Sequence, residues 1–97
     1  MQYKIIYKDS AKDDLLKYSD YIERMTFSKE KADELLRIIM SEILKLSLFP
    51  YMYQVFYKNF HSFSVKNQRI IYYIDEEKKQ VVIYRILWWY QDYTRYI

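Results

Sequence analysis

The chain has 97 residues, 52% of them apolar, with thirteen tyrosines and a formal charge of +3 from 16 basic and 13 acidic side chains. A chain of this length builds one core and one domain, residues 1–97, with a net stability of about 5 to 10 kcal/mol. The absence of cysteine excludes disulfides and thiolate chemistry, the single histidine excludes a multi-histidine metal site, and the absence of glycine excludes glycine-rich phosphate loops, so neither metal nor cofactor is expected.

Residues 2–7 alternate, with Tyr3, Ile5 and Tyr7 against Gln2, Lys4 and Ile6, which predicts a strand. A signal peptide would be apolar without interruption here, and no later run approaches the roughly 20 residues that cross a bilayer. The protein is therefore read as cytoplasmic, with no membrane partner. Ser10 followed by Asp13 has the spacing of a capping box and predicts a helix start. Ala11, Leu15, Tyr18, Ile22 and Met25 recur three or four apart as one apolar stripe, and the helix is expected to end near Thr26.

Ser28 is placed to cap a second helix, whose stripe of Ala32, Leu35, Leu36, Ile39, Ile43 and Leu46 runs on towards Pro50. So short a link makes the two helices a hairpin. Residues 51–59 follow neither period and are read as an irregular aromatic connector. His61, Phe63 and Val65 then alternate with Ser62, Ser64 and Lys66, and Asn67 is the residue best able to take a positive φ in a turn. The apolar run Ile70 to Ile74, the charged turn Asp75 to Lys79 and the β-branched run Val81 to Leu87 complete a meander. The expected fold is α+β, in the order β-α-α-β-β-β, with the helical hairpin on one face of a mainly antiparallel four-stranded sheet. The opposite face and the segment after the last strand are left for recognition.

Several side chains invite a chemical reading. Arg69 opens an apolar strand on the face of Ile71 and Tyr73, where it either forks onto a phosphate or carboxylate or snorkels to water. Arg85 lies between Tyr84 and Ile86 in the last strand, where a charge needs a carboxylate partner, and an internal salt bridge is expected. His61 cannot act with Ser62, since adjacent strand residues point to opposite faces. Asp13, Asp14, Glu23, Asp33 and Glu34 are read as helix-start or solvated carboxylates. In Trp88-Trp89-Tyr90-Gln91-Asp92-Tyr93-Thr94-Arg95-Tyr96 the two tryptophans are expected to close one end of the core, with Tyr93 and Arg95 exposed.

The ordered set of Ala11 to Leu15 with Tyr21-Ile22, a second helix running to Leu46 and Pro50, Val65 to Glu76 with its Arg69, and Arg85-Ile86-Leu87 before Asp92-Tyr93 resembles the RelE/ParE superfamily of bacterial toxins. The resemblance covers nearly the whole chain and implies a toxin neutralised by a cognate antitoxin that wraps it with a helical or extended segment. RelE-like members cleave mRNA in the ribosome, whereas ParE-like members poison DNA gyrase. Arg69 matches the arginine that RelE-like nucleases place on the scissile phosphate. Their second-strand lysines fall near Ser62 and Ser64 here, and their late arginine near Gln91. Tryptophan also stands where the related YoeB-like ending has a general-acid histidine, and an indole does not exchange protons near neutral pH. Arg85-Ile86-Leu87 and Asp92-Tyr93 are similar to the ParE-like ending, with Tyr90 and Gln91 where basic residues are usual. The implied target or nucleic-acid contacts are Lys66, Arg69, Tyr73, Arg85, Tyr90, Gln91, Tyr93 and Arg95, with Arg69 and Tyr93 the catalytic candidates should the chain be a ribonuclease. Gyrase is the expected target, ribosome-dependent mRNA cleavage is the alternative, and an attenuated antitoxin-binding member is a third reading.

Overall fold

The computed structural model describes residues 2–92, 95 and 96. Strand β1 (Lys4–Tyr7) leads into helices α1 (Asp9–Thr26) and α2 (Lys29–Leu44), a 3-10 turn (Lys45–Ser47), and strands β2 (Val55–Tyr57), β3 (Phe60–Val65), β4 (Gln68–Asp75) and β5 (Gln80–Trp88). The sheet order is β1-β5-β4-β3-β2, with β1 parallel to β5 and the other pairs antiparallel. The sheet has five strands where four were expected. The added strand β2 lies in the segment read as an irregular connector, and its Val55 and Tyr57 are both exposed, so no burial rhythm marks it.

Helix α1 begins one residue before Ser10, and its N-cap Lys8 makes no side-chain cap bond, so the Ser10/Asp13 capping box does not form. The Ser10 hydroxyl instead donates to the Tyr84 carbonyl at 2.8 Å. The cap of α2 is as read, with Ser28 Oγ accepting from the Lys31 amide at 3.0 Å. Between the helices Phe27 takes the left-handed conformation, at φ 55°, a position that glycine or asparagine usually fills. The last turn of the α2 stripe tightens to 3-10 geometry but keeps Leu46 fully buried. Met25 leaves the stripe and is exposed.

The apolar stripes meet one face of the sheet. Ala11, Leu15, Tyr18, Ile39, Ile43 and Leu46 form a single cluster with Phe63, Ile70, Tyr72, Val81, Ile83 and Ile86. Each fully buried isoleucine stabilises the fold by about 1.5 to 3 kcal/mol relative to exposure. Polar atoms in this layer are satisfied locally. Tyr72 Oη donates to the Pro50 carbonyl at 2.9 Å, and His61 Nδ1 lies 2.7 Å from the Tyr53 carbonyl, which can only accept, so that nitrogen carries the proton. The His61 ring stacks on Tyr72 at 4.9 Å. Lys66 and Asn67, at φ 50° and 64°, make a two-residue hairpin turn whose twist suits the flanking strands.

One irregularity governs the rest. Ile71 pairs with Arg85 while its neighbour Tyr72 pairs with Ile83, so Tyr84 is an extra residue that bulges β5. Simple alternation would give Arg85 the same face as Val81 and Ile83. The bulge shifts the phase by one, and Ile86 joins the core instead, 2% exposed.

Candidate functional site

Strand β1 ends at Tyr7, opposite Ile83, so from Tyr84 onward β5 has lost its strand partner on that side. Helix α1 takes over with side chains. Ser10 bonds the Tyr84 carbonyl, and four residues on, one turn along the same face, Asp14 Oδ2 accepts from the Ile86 amide at 2.9 Å. The same carboxylate holds Arg85 with two bonds, Nε to Oδ2 at 2.7 Å and Nη2 to Oδ1 at 2.8 Å. Arg85 thus forms the internal salt bridge expected of it, and hydrogen bonding to Asp14 raises its pKa further, which keeps it charged. Asp14 is 8% exposed, which corrects its reading as a solvated helix carboxylate. A signal for this was present: Asp14 lies within the stripe of Ala11, Leu15 and Tyr18, as Arg85 lies within the apolar run of β5, and two opposite charges that each interrupt an apolar pattern satisfy one another.

The sheet face away from the helices carries Arg69 between Ser64 on β3 and Leu87 on β5. Arg69 Nη1 donates to Ser62 Oγ at 3.3 Å. Aromatic rings continue this face, with Phe60 packed at 5.8 Å from Tyr73 and 5.1 Å from Tyr84. Lys66 is exposed at the β3–β4 turn. This brings Arg69 and Tyr73 onto one surface, while Arg85 is drawn aside to α1. His61, in register with Tyr72, sits in the layer under the helices.

The segment after β5 is partly tied back. The Trp89 amide donates to the Asn67 carbonyl, Gln91 Oε1 accepts from the Trp88 amide at 2.9 Å, and the Arg85 guanidinium lies 4.4 Å from the Tyr96 ring centre. Trp88 packs edge-on against Tyr18 and Tyr21, as a core-closing tryptophan should. Trp89 does not: it is 60% exposed beside an exposed Tyr90, because the chain leaves the sheet at that residue. Arg95 is exposed, and Tyr93 lies outside the described residues.

A second surface had no counterpart in the sequence reading. Ile5, Tyr7, Arg37, Met40, Ser41 and Leu44 line a groove of about 460 Å³ between β1 and α2. It adjoins one of about 370 Å³ against α1, lined by Leu15, Leu16 and Leu36 and sharing Tyr7 and Met40. Met40 and Leu44 are 45% and 64% exposed, and the outer edge of β1 pairs with no other strand among the described residues. Also among the described residues, no helix is long and apolar enough to cross a membrane.

A family model described as the ParE toxin of the type II toxin-antitoxin system parDE matches residues 5–93. The toxin-antitoxin complex RelBE2 from Mycobacterium tuberculosis shares the fold at a TM-score of 0.66 and 22% identity, over 91% of this chain and 99% of that one. The chromosomal ParDE toxin-antitoxin system from P. aeruginosa shares it at a TM-score of 0.77 and 14% identity, over 90% and 96%. Curated protein sequences give no match.

Proposed function

The chain belongs to the ParE toxin family of type II toxin-antitoxin systems, and we infer from that membership and from the site geometry that it arrests growth by binding DNA gyrase without cutting nucleic acid. Support for binding over cleavage comes from the place of the one histidine. General acid-base catalysis needs a proton-exchanging group within hydrogen-bond reach of the reacting atoms. His61 is packed under the helices with Nδ1 on a backbone carbonyl, whereas the face of Arg69 offers the hydroxyls of Ser62 and Ser64 and a row of rings. An arginine among aromatics is a recognition surface, and Trp89, Tyr90 and Arg95 are further exposed side chains beyond β5.

The cognate antitoxin is assigned to the groove. An amphipathic helix of the antitoxin lays its apolar side along Met40 and Leu44, and an extended segment adds to the open edge of β1. The chain's charge of +3 favours an acidic antitoxin. Co-expression with the adjacent reading frame should give a complex tighter than micromolar, and a weaker one would remove this assignment.

Ribosome-dependent mRNA cleavage is the second reading, supported by the same Arg69 beside Phe60 and Tyr73, since rings next to an arginine also stack on unpaired bases. Pulse labelling in the minutes after tightly controlled induction separates the two. Thymidine incorporation falling while methionine incorporation continues supports gyrase. The reverse order supports the ribosome, and Arg69→Ala should then abolish cleavage with antitoxin affinity intact. No change in either points to an attenuated toxin that chiefly binds its antitoxin.

A further inference from the structure

The segment that follows β5 carries the exposed Trp89 and Tyr90, and a chain of contacts joins it to the first helix. Asp14 fixes Arg85 through both carboxylate oxygens, and Arg85, so fixed, presents its guanidinium to the Tyr96 ring at 4.4 Å. Gln91 adds a second tie, with Oε1 on the Trp88 amide and Nε2 at 3.5 Å from Tyr96 Oη. The Ile86 amide, held by the same Asp14 oxygen, sets the strand from which the segment departs.

We propose that Asp14, Arg85 and Tyr96 form a relay that positions Trp89 and Tyr90 for target binding, so that Arg85 is a positioning residue and not a contact to the target. The role of Trp89 and Tyr90 rests on the gyrase reading above; the anchoring itself does not. Two features favour anchoring over simple stability. Across the edge of β5 that β1 leaves open, the Arg85 side chain reaches Asp14 on α1, and its charge is balanced there before any target arrives. The guanidinium lies over the Tyr96 ring while its in-plane N–H groups bond Asp14, so one side chain serves both contacts.

The chemistry makes the substitutions selective. Arg85→Lys keeps the charge and one bond to Asp14 but loses the planar fork and the surface on which a ring packs. Tyr96→Phe keeps the ring, whereas Tyr96→Leu removes it. A cation–π contact at such a site shifts local populations by about two- to fivefold. Hydrogen exchange of the folded variants reads this directly. The amides of Trp89, Gln91 and Arg95 should exchange about two- to fivefold faster in Arg85→Lys and Tyr96→Leu, and by a smaller factor in Tyr96→Phe, which keeps the ring and loses only the long contact with Gln91, with α2 and β4 protected equally in all. Unchanged exchange at those three amides in Tyr96→Leu would overturn the relay, as would faster exchange spread over the whole sheet in Arg85→Lys.

A second arm measures inhibition of gyrase supercoiling together with antitoxin affinity. The relay requires the inhibitory concentration to rise at least about twofold in Tyr96→Leu and Arg85→Lys while antitoxin affinity stays constant, because the groove lies elsewhere. Loss of both activities together would mean a general defect and would count against the relay. If the wild-type chain does not inhibit gyrase, the target reading fails, and the exchange arm decides the anchoring by itself.

Discussion

Asp14→Asn is the sharpest test of how the two layers are joined. The asparagine retains a carbonyl that can still accept from the Ile86 amide, but its amide group turns hydrogen-bond donors towards Arg85, whose side chain is only 19% exposed. Removing one member of a buried ion pair costs about 3 to 5 kcal/mol, and the partial exposure of Arg85 and the surviving acceptor reduce this to about 2 to 3 kcal/mol. At about 4 to 8 °C per kcal/mol for a domain of this size, Tm should fall by about 8 to 24 °C. Thermal and urea unfolding followed by circular dichroism measure it. The double variant Asp14→Asn with Arg85→Met should recover much of the loss, since no charge is then left without its partner. A fall below about 3 °C, or losses that simply add in the double variant, would show that solvent already screens the pair.

Phe27→Gly should raise Tm by a few degrees. The residue is 94% exposed and held at φ 55°, where a side chain costs about 1 to 2 kcal/mol, more than the entropy that glycine adds to the unfolded chain. Burial raises the Tyr7 pKa to about 12, and Tyr18 and Tyr72 move in the same direction for the same cause. A raised tyrosine pKa means that the folded state holds its proton more tightly, so this contribution is complete below the ordinary value near 10 and is lost as pH rises towards 12. Urea midpoints should fall over that window, and less steeply in Tyr7→Phe; equal slopes would contradict the shift. Met40→Glu puts a charge where the two grooves meet and should weaken antitoxin binding at least about tenfold by calorimetry, with little change in Tm since the residue is 45% exposed.

Much of the fold is legible in the sequence, and the departures have physical reasons. The helices, the Ser28 cap, the Asn67 turn and the three meander strands announce themselves because burial on one side imposes a period on the sequence. The RelE/ParE resemblance and the α+β fold hold for the same reason: an ordered set of weak patterns survives small local shifts. Strand β2 is short, exposed and at an edge, so it imposes no period at all. The Ser10/Asp13 box failed because a local spacing was read as a local bond, while Ser10 and its neighbour Asp14 had long-range partners on β5. The phase of β5 was hidden by the bulge, which no alternation count detects. Trp89 was expected to close the core with Trp88, but it lies one residue beyond the strand end, which suffices to turn a side chain outward. The groove was invisible because Met40 and Leu44 look like ordinary exposed residues until β1 is laid beside α2.

The partnership of β1 and α1 with β5 also sets a schedule. Ser10 meets Tyr84 across 74 positions, and β1 has no strand neighbour until β5 exists. During synthesis the helical hairpin can form early from local contacts, but the sheet cannot close until residue 88 has left the ribosome, and such distant pairings are slow to form. The groove along β1 and the sheet face around Arg69 are therefore completed by the same late event. If the groove receives the antitoxin and the Arg69 face the target, as proposed above, the chain gains both surfaces in a single step.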